Sequence, residues 1–328
     1  MFRGLEYLGV KQLLKKTGKN GSEEMKPVVF IHTNDKQLLG AKLSAYSLKA
    51  RSKSPDKFDV RLLRLEETPH LYRREGQPYL RKGKRAVWRN ADLQSFSLLR
   101  LMVPQVLNFH GRALVIDPDV FAIGDVYELL TRDMGDKAVV CRNVKEGYRG
   151  NGVSFYATSV MLLDCSRLVH WKWDRQIEDL FSLKLDYGDL ISLRLEPSNR
   201  IDELEEEWNH LDTLTSRTKL LHNTERSTQP WKTGLKVDFD TTWRNGKRSV
   251  PEDSKLRQLV AQFRGIFGHN HSPRPEVYLQ HPDPQQEIFF FRLLKECLEH
   301  GGITEEFVRD EVQRQYIRPD VWEKLLEF

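Results

Sequence analysis

Two aspartates separated by a single proline, Asp117-Pro118-Asp119, directly follow the apolar run Ala113-Leu114-Val115-Ile116. Carboxylates one residue apart at the end of a buried strand can both turn toward one hard divalent cation. Mg²⁺ and Mn²⁺ favour such oxygen ligands and keep coordination positions free for phosphate oxygens. A cation held this way neutralises a diphosphate leaving group, the main electrostatic demand in breaking a sugar–phosphate bond. Val120-Phe121-Ala122-Ile123 continues the apolar character beyond the pair, so the acidic turn is expected inside folded structure.

The elements that must position this turn read as alternating strands and helices. Val28-Val29-Phe30-Ile31 has the short β-branched pattern of a buried parallel strand. Asn34 or Asp35 can cap the next helix, whose apolar face uses Leu38, Leu39, Leu43, Tyr46 and Leu48. A second strand is expected over 58–65, a helix from Asp92 to about Val106 that Pro104 kinks or ends, and the third strand at 113–116. Further strands are expected over 137–141 and 160–163. Such alternation predicts an α/β fold, with helices on both faces of the sheet and ligands beyond the strands' carboxyl ends. Thr33 to Asp35 and Asp117 to Asp119 both fall there.

Residues 1–26 read as a helical extension and linker, in which leucines and lysines suggest a weak peripheral contact with a membrane surface. Residues 27–250 read as the main domain and 251–328 as a helical extension packed on it. In that extension Asp283 is the expected N-cap of a helix, with Pro284 at its first position, Gln286 returning the capping bond and Gly301 past its end.

The chain has 328 residues, of which 39% are hydrophobic and 30% charged, a globular composition. No apolar run approaches the roughly 20 residues of a membrane-spanning helix. Three cysteines without a CxxC pair argue against a disulfide framework and fit a reducing, cytoplasmic setting. The net charge of +5 is concentrated: Arg73, Arg74, Arg81, Lys82, Lys84, Arg85 and Arg89 face only Glu75. That stretch is suited to phosphates, nucleotides or anionic lipid, and reads as a solvated loop, a mobile loop closing over the diphosphate or a binder of a phosphorylated acceptor. No nucleic-acid-binding module accompanies it, so no nucleic-acid partner is expected.

The segment FSLLRLMVPQVLNFHGRALVIDPDVFAIGDVYELL resembles the central part of the family 8 retaining glycosyltransferases, the glycogenin and galactosyltransferase relatives. SVMLLDCSRL resembles a later strand of that family, and Leu221-His222-Asn223 with Gln229-Pro230-Trp231-Lys232 resembles its histidine and Lys-Pro-Trp element. The resemblance spans about two thirds of the chain, from Val28 to Gly234. It implies a GT-A, Rossmann-like fold and transfer from a nucleotide-sugar, with a UDP-sugar favoured, at retained anomeric configuration. It implies Asp117, Asp119 and His222 as ligands of Mn²⁺ or Mg²⁺, and Arg100 near the donor sugar and phosphates. Thr33 and Asp35 correspond to the nucleoside site, Arg226 and Lys232 are the candidates to substitute for the family's lysine at the nucleotide, and Asp189 corresponds to a residue orienting donor sugar or acceptor. Trp208-Asn209 matches a position near the acceptor, whose class (carbohydrate, lipid or protein) is left open.

The sequence also departs from that family. Ala157-Thr158-Ser159 stands where an asparagine-glycine pair is expected, Tyr187-Gly188-Asp189 replaces an Asp-Gln-Asp triplet, and Gln229 replaces a lysine. A binding protein that has lost transfer is therefore the rival reading. A nucleotidyltransferase is a second, but His32-Thr33-Asn34-Asp35 lacks the Gly-rich loop it would show. His269, His271 and His281 contain a His-x-His pair without an acidic or cysteine neighbour, a poor metal site.

Overall fold

The computed structural model describes residues 25–145, 154–239 and 275–328. The N-terminal extension up to residue 24, with its suggested membrane contact, and His269 and His271 lie outside the described residues. The central sheet has six strands in the order β2-β1-β5-β8-β7-β9. They are β1 (Val28–Thr33), β2 (Asp59–Arg64), β5 (Arg112–Ile116), β7 (Val139–Val144), β8 (Phe155–Asp164) and β9 (Ile201–Glu203). β1 runs parallel to both β2 and β5, whereas β8 is antiparallel to β5 and β7, so the sheet is mixed.

Alternation along these strands builds two cores. Val28, Phe30, Val115, Met161 and Leu163 face one side, against the segment 95–107 and helix α3 (Trp173–Phe181). Val29, Ile31, Leu114, Ile116 and Leu162 face the other, against α1 (Leu38–Ala50) and α2 (Val126–Leu130). Helices on both faces are thus observed, because neither face of so apolar a sheet can be left in water.

A third core lies on the outer side of α1. Leu39, Leu43 and Tyr46 meet Phe121, Trp231 and the helices α5 (Pro284–Glu299), α6 (Glu305–Gln313) and α7 (Val321–Glu327). Phe290 stacks on Trp231 with ring centroids 4.8 Å apart. The helical C-terminal part is therefore packed on the sheet domain through buried aromatic surface. Asp283 caps α5 by accepting from the Gln285 amide at 3.0 Å, and Gly301 follows the helix with a φ of 72°. Gln286 does not return the capping bond. It is buried, and its carbonyl accepts from Asn223 Nδ2 at 2.6 Å, tying α5 to the site strand instead.

Two other expectations need correction. The segment expected as a helix from Asp92 forms a 3₁₀ run at Ser95–Met102 and one α turn at Val103–Val106. Pro104 has no amide hydrogen to continue an α ladder from residue 100, so it sits in the first turn of the α segment instead of ending a helix. The basic stretch is a hairpin of β3 (Pro78–Arg81) and β4 (Lys84–Val87). Lys82 and Gly83 both take left-handed backbone at the tip, the conformation a tight hairpin needs, and the Gly83 amide donates to Asp186 Oδ2 at 2.7 Å.

Candidate metal and nucleotide site

A small second sheet assembles the site. β6 (Val120–Ala122) follows the acidic turn and pairs antiparallel with β11 (Leu220–His222), which is parallel to β10 (His210–Leu211). The register sets His222 opposite Val120, and the Asn223 amide donates to the Asp119 carbonyl at 3.0 Å. One ligand atom each from Asp117, Asp119 and His222 then falls within a 4.8 Å cluster. Two carboxylates and an imidazole form a donor set that fits Mn²⁺ or Mg²⁺, with space left for oxygens from a ligand.

The turn itself is held by backbone. The Asp117 amide donates to the Ser159 carbonyl on β8 at 2.9 Å. Behind it, Gly40 of α1 passes so close that a Cβ there would lie 2.7 Å from the Pro118 carbonyl oxygen. A helix residue with any side chain would push the turn outward.

Asp117 is surrounded by cationic and polar groups. Arg100 Nη2 donates to its Oδ1 at 2.8 Å, and His32 Nε2 lies 2.7 Å from the same oxygen. Both contacts fall on Oδ1, and Oδ2 takes no hydrogen bond among the described residues. Burial by itself would raise the Asp117 pKa. The charge of Arg100, followed by His32 and the hydrogen bond it donates, outweighs burial and holds the carboxyl well below the usual carboxylate range. Asp117 is therefore an anion throughout ordinary pH. His32 is fully buried, and burial, with Arg100 next, lowers its pKa, so it is neutral and donates from Nε2. Its Nδ1 is buried without a hydrogen-bond partner.

Arg100 is itself fixed on three sides. Nε donates to the Ser97 carbonyl at 2.9 Å and Nη1 to Thr158 Oγ1. Thr158 Oγ1 donates onward to the Ile191 carbonyl at 2.6 Å, at the end of α4 (Tyr187–Ile191). Asp119 Oδ1 lies 3.3 Å from His222 Nε2, and its Oδ2 accepts from Gln229 Nε2 at 3.1 Å. Burial lowers the His222 pKa, but the charge and hydrogen bond of Asp119 outweigh that and raise it. His222 Nδ1 faces Asn209 Oδ1 at 3.1 Å, and Asn209 Nδ2 donates to Ser159 Oγ at 3.0 Å.

The remaining sequence candidates lie in different surroundings. Thr33 is buried, with Oγ1 on the Asn34 carbonyl at 3.1 Å. Asp35 is held in ion pairs, 2.6 Å from Arg64 and 3.3 Å from Arg314 of the C-terminal part. Lys232 is 1% exposed and lies 3.4 Å from Asp238, which also meets Lys36 at 3.2 Å and the Tyr278 hydroxyl at 2.5 Å. Asp189 accepts from the Asp186 amide at 3.1 Å as the return bond of the α4 capping box, with Arg194 3.5 Å away. Trp208 offers no open stacking face: it is a core residue, with Lys219 Nζ 5.2 Å over its ring. His281 Nε2 lies 4.0 Å from Asp212 and is not one of the three clustered ligand residues.

His32, Thr158 and Ser159 are site residues that sequence reasoning did not select as such. The only signal for His32 was its place near the end of β1. Thr158 and Ser159 were visible as departures from a family pattern, and the structure gives them work, anchoring Arg100 and Asn209.

Among the described residues, no helix is long and apolar enough to cross a membrane. No protein-family profile and no curated protein matches the chain. Solved structures do match it. The galactosyltransferase LgtC, in complex with donor and acceptor sugar analogues, is 16% identical over 73% of this chain and 99% of its own, at a TM-score of 0.44. The glycosyltransferase GlyE of Streptococcus pneumoniae TIGR4 is 15% identical over 74% of this chain and 60% of its own, also at 0.44. The bifunctional glycosyltransferase WbbM is 13% identical over 66% of this chain and 48% of its own, at 0.43. The chain thus spans less than two thirds of the length of GlyE and of WbbM and nearly all of LgtC, and it is similar to all three.

Proposed function

We propose that the protein is a metal-dependent glycosyltransferase of GT-A type that takes a nucleotide-sugar donor, a UDP-sugar in the favoured case, and transfers with retention. The observation that carries this reading is the convergence of Asp117, Asp119 and His222 at the carboxyl end of a doubly covered sheet. A divalent cation bound there supplies positive charge to a departing diphosphate. Asp117 and Asp119 would hold it through carboxylate oxygens and His222 through Nε2, with Asn209 Oδ1 accepting from Nδ1–H. The Arg100 charge and the hydrogen bond from His32 stabilise the Asp117 carboxylate before any ligand arrives.

A second reading, a scaffold that binds a nucleotide-sugar without transferring it, is favoured by one observation. The Asp189 carboxylate is engaged in a capping box, where a catalytic or orienting role needs it free. Thermal unfolding with a panel of nucleoside diphosphates, with and without Mn²⁺, tests the shared part of both readings. A metal-dependent rise with one diphosphate supports the site, and no rise with any removes it. Hydrolysis or transfer of the matching nucleotide-sugar then separates enzyme from binder.

A further inference from the structure

The β3–β4 hairpin turns one face to the protein and leaves the other without a partner. In its antiparallel register Pro78 stands opposite Val87, Tyr79 opposite Ala86, Leu80 opposite Arg85 and Arg81 opposite Lys84. Side chains alternate across such a ribbon, so Tyr79, Arg81 and Ala86 share one face while Pro78, Leu80, Arg85 and Val87 share the other. The first face is turned inward. Tyr79 and Ala86 are buried in the core that faces α3, with the Tyr79 ring 5.6 Å from Trp88 and 6.0 Å from Tyr187. Arg81 lies 4.8 Å over the Tyr187 ring and donates to Gln94 Oε1 at 2.8 Å.

The second face sets apolar side chains among cations. Val87 is 50% exposed, Pro78 and Arg85 are exposed, and none of Pro78, Leu80 and Val87 joins a hydrophobic cluster. Lys82 is exposed at the tip. From residue 73 to 89 the only acid is Glu75, and Arg89 takes it at 3.1 Å. Arg74 is taken by Glu178. Asp186, beside the tip, already accepts from the Gly83 and Gly188 amides, each at 2.7 Å. Arg73, Lys82 and Arg85 have no ion pair among the described residues.

The charge decides what can cover this face. A second copy of the chain would set Lys82 and Arg85 against their own counterparts, and cations on a two-stranded ribbon oppose pairing with another strand. A layer of anionic headgroups suits both kinds of side chain. Pro78, Leu80 and Val87 can enter the headgroup boundary while the long stems of Lys82 and Arg85 keep their charges at the lipid phosphates. We propose that the outer face of the β3–β4 hairpin docks the protein on an anionic lipid surface. The metal carboxylates and the donor play no part in this contact.

Co-sedimentation of the full chain with lipid vesicles is the test, one set of phosphatidylcholine alone and one with about a third phosphatidylglycerol. Binding to the anionic vesicles is expected to be at least about tenfold tighter, and about 0.5 M salt should remove most of the difference. Arg85→Gln and Lys82→Gln should each weaken it about fivefold, the worth of one charge near the headgroups. Val87→Ser should weaken it about threefold through the apolar contact, with the thermal midpoint of all three variants unchanged. Equal binding to both vesicles, or binding to neither, overturns the proposal. Anionic-vesicle binding that all three variants leave intact also overturns it, because the contact would then lie elsewhere on the chain. Capture by polyglutamate without any vesicle binding would give the face to an acidic protein instead.

Discussion

Asn209 Oδ1 lies 3.1 Å from His222 Nδ1, and this contact decides which ring nitrogen of His222 faces Asp119. With a proton held on Nδ1, Nε2 is the nitrogen left facing the carboxylate cluster, and it must shed its own proton to bind a cation. Asn209→Ala is expected to weaken Mn²⁺ binding about 10- to 100-fold, the usual effect of losing a partner behind a ligating histidine. Calorimetric titration with Mn²⁺ reads this directly, and an unchanged affinity would detach Asn209 from the site.

Asp117→Asn and Asp119→Asn should both abolish metal-dependent nucleotide binding, yet differ in stability. Asp117 is the only carboxylate paired with buried Arg100 among the described residues, so its loss leaves an uncompensated charge and costs about 3 kcal/mol or more. Asp119 faces a histidine and a glutamine amide, and its substitution should cost far less. Urea unfolding of the two variants compares them. Unchanged nucleotide affinity in both, with and without Mn²⁺, would sink the metal site.

Gly40→Ala changes no ligand but forces the Pro118 carbonyl aside, because the new Cβ would meet it at 2.7 Å. A loss of about 1–3 kcal/mol in stability is expected from the overpacking, together with weaker Mn²⁺ binding. Stability lost with metal affinity intact would show that the turn can move without consequence.

Glu311 of α6 is buried, with neither carboxylate oxygen hydrogen bonded and Arg314 3.6 Å away. Burial pushes its pKa up to about 7 from 4.5, against the opposing pull of Arg314. The folded chain then binds this proton more tightly than the unfolded chain. The contribution of Glu311 to stability is therefore highest below pH 4.5 and declines as pH rises to about 7, where it levels off. Glu311→Gln should remove that slope and stabilise the protein by about 3 kcal/mol at pH 8 relative to its effect at pH 4. Denaturant midpoints at the two pH values measure it, and a pH-independent difference between variant and wild type would refute it.

Phe290 is fully buried between Trp231, Phe121 and Phe291. Phe290→Ala is expected to cost about 3–5 kcal/mol, and the loss should appear in one cooperative transition if α5 is part of the same folding unit as the sheet. A separate early transition would mean that the C-terminal helices unfold on their own.

Much of the framework could be read from neighbouring residues. The apolar runs of β1 and β5, the face of α1, the Asp283 cap and the acidic turn between β5 and β6 all rest on contacts a few residues apart. Those local preferences survive in any fold that buries the runs. The segment 95–106 was misread because its apolar spacing suits an α-helix while Pro104 permits the α ladder only from its own first turn onward.

The site was only half legible for the same reason. Asp117 and Asp119 are two positions apart in sequence, whereas His222 joins them through the antiparallel register of β11 with β6, and resemblance rather than spacing suggests it. His32 reaches Asp117 because β1 lies beside β5, and Asn209 reaches His222 because β10 lies beside β11. The chain's local composition determined which segments become strands and where an acidic turn sits. Tertiary structure decided which buried groups share that turn, because strand order and register set which distant side chains meet, and short-range propensity carries no record of either.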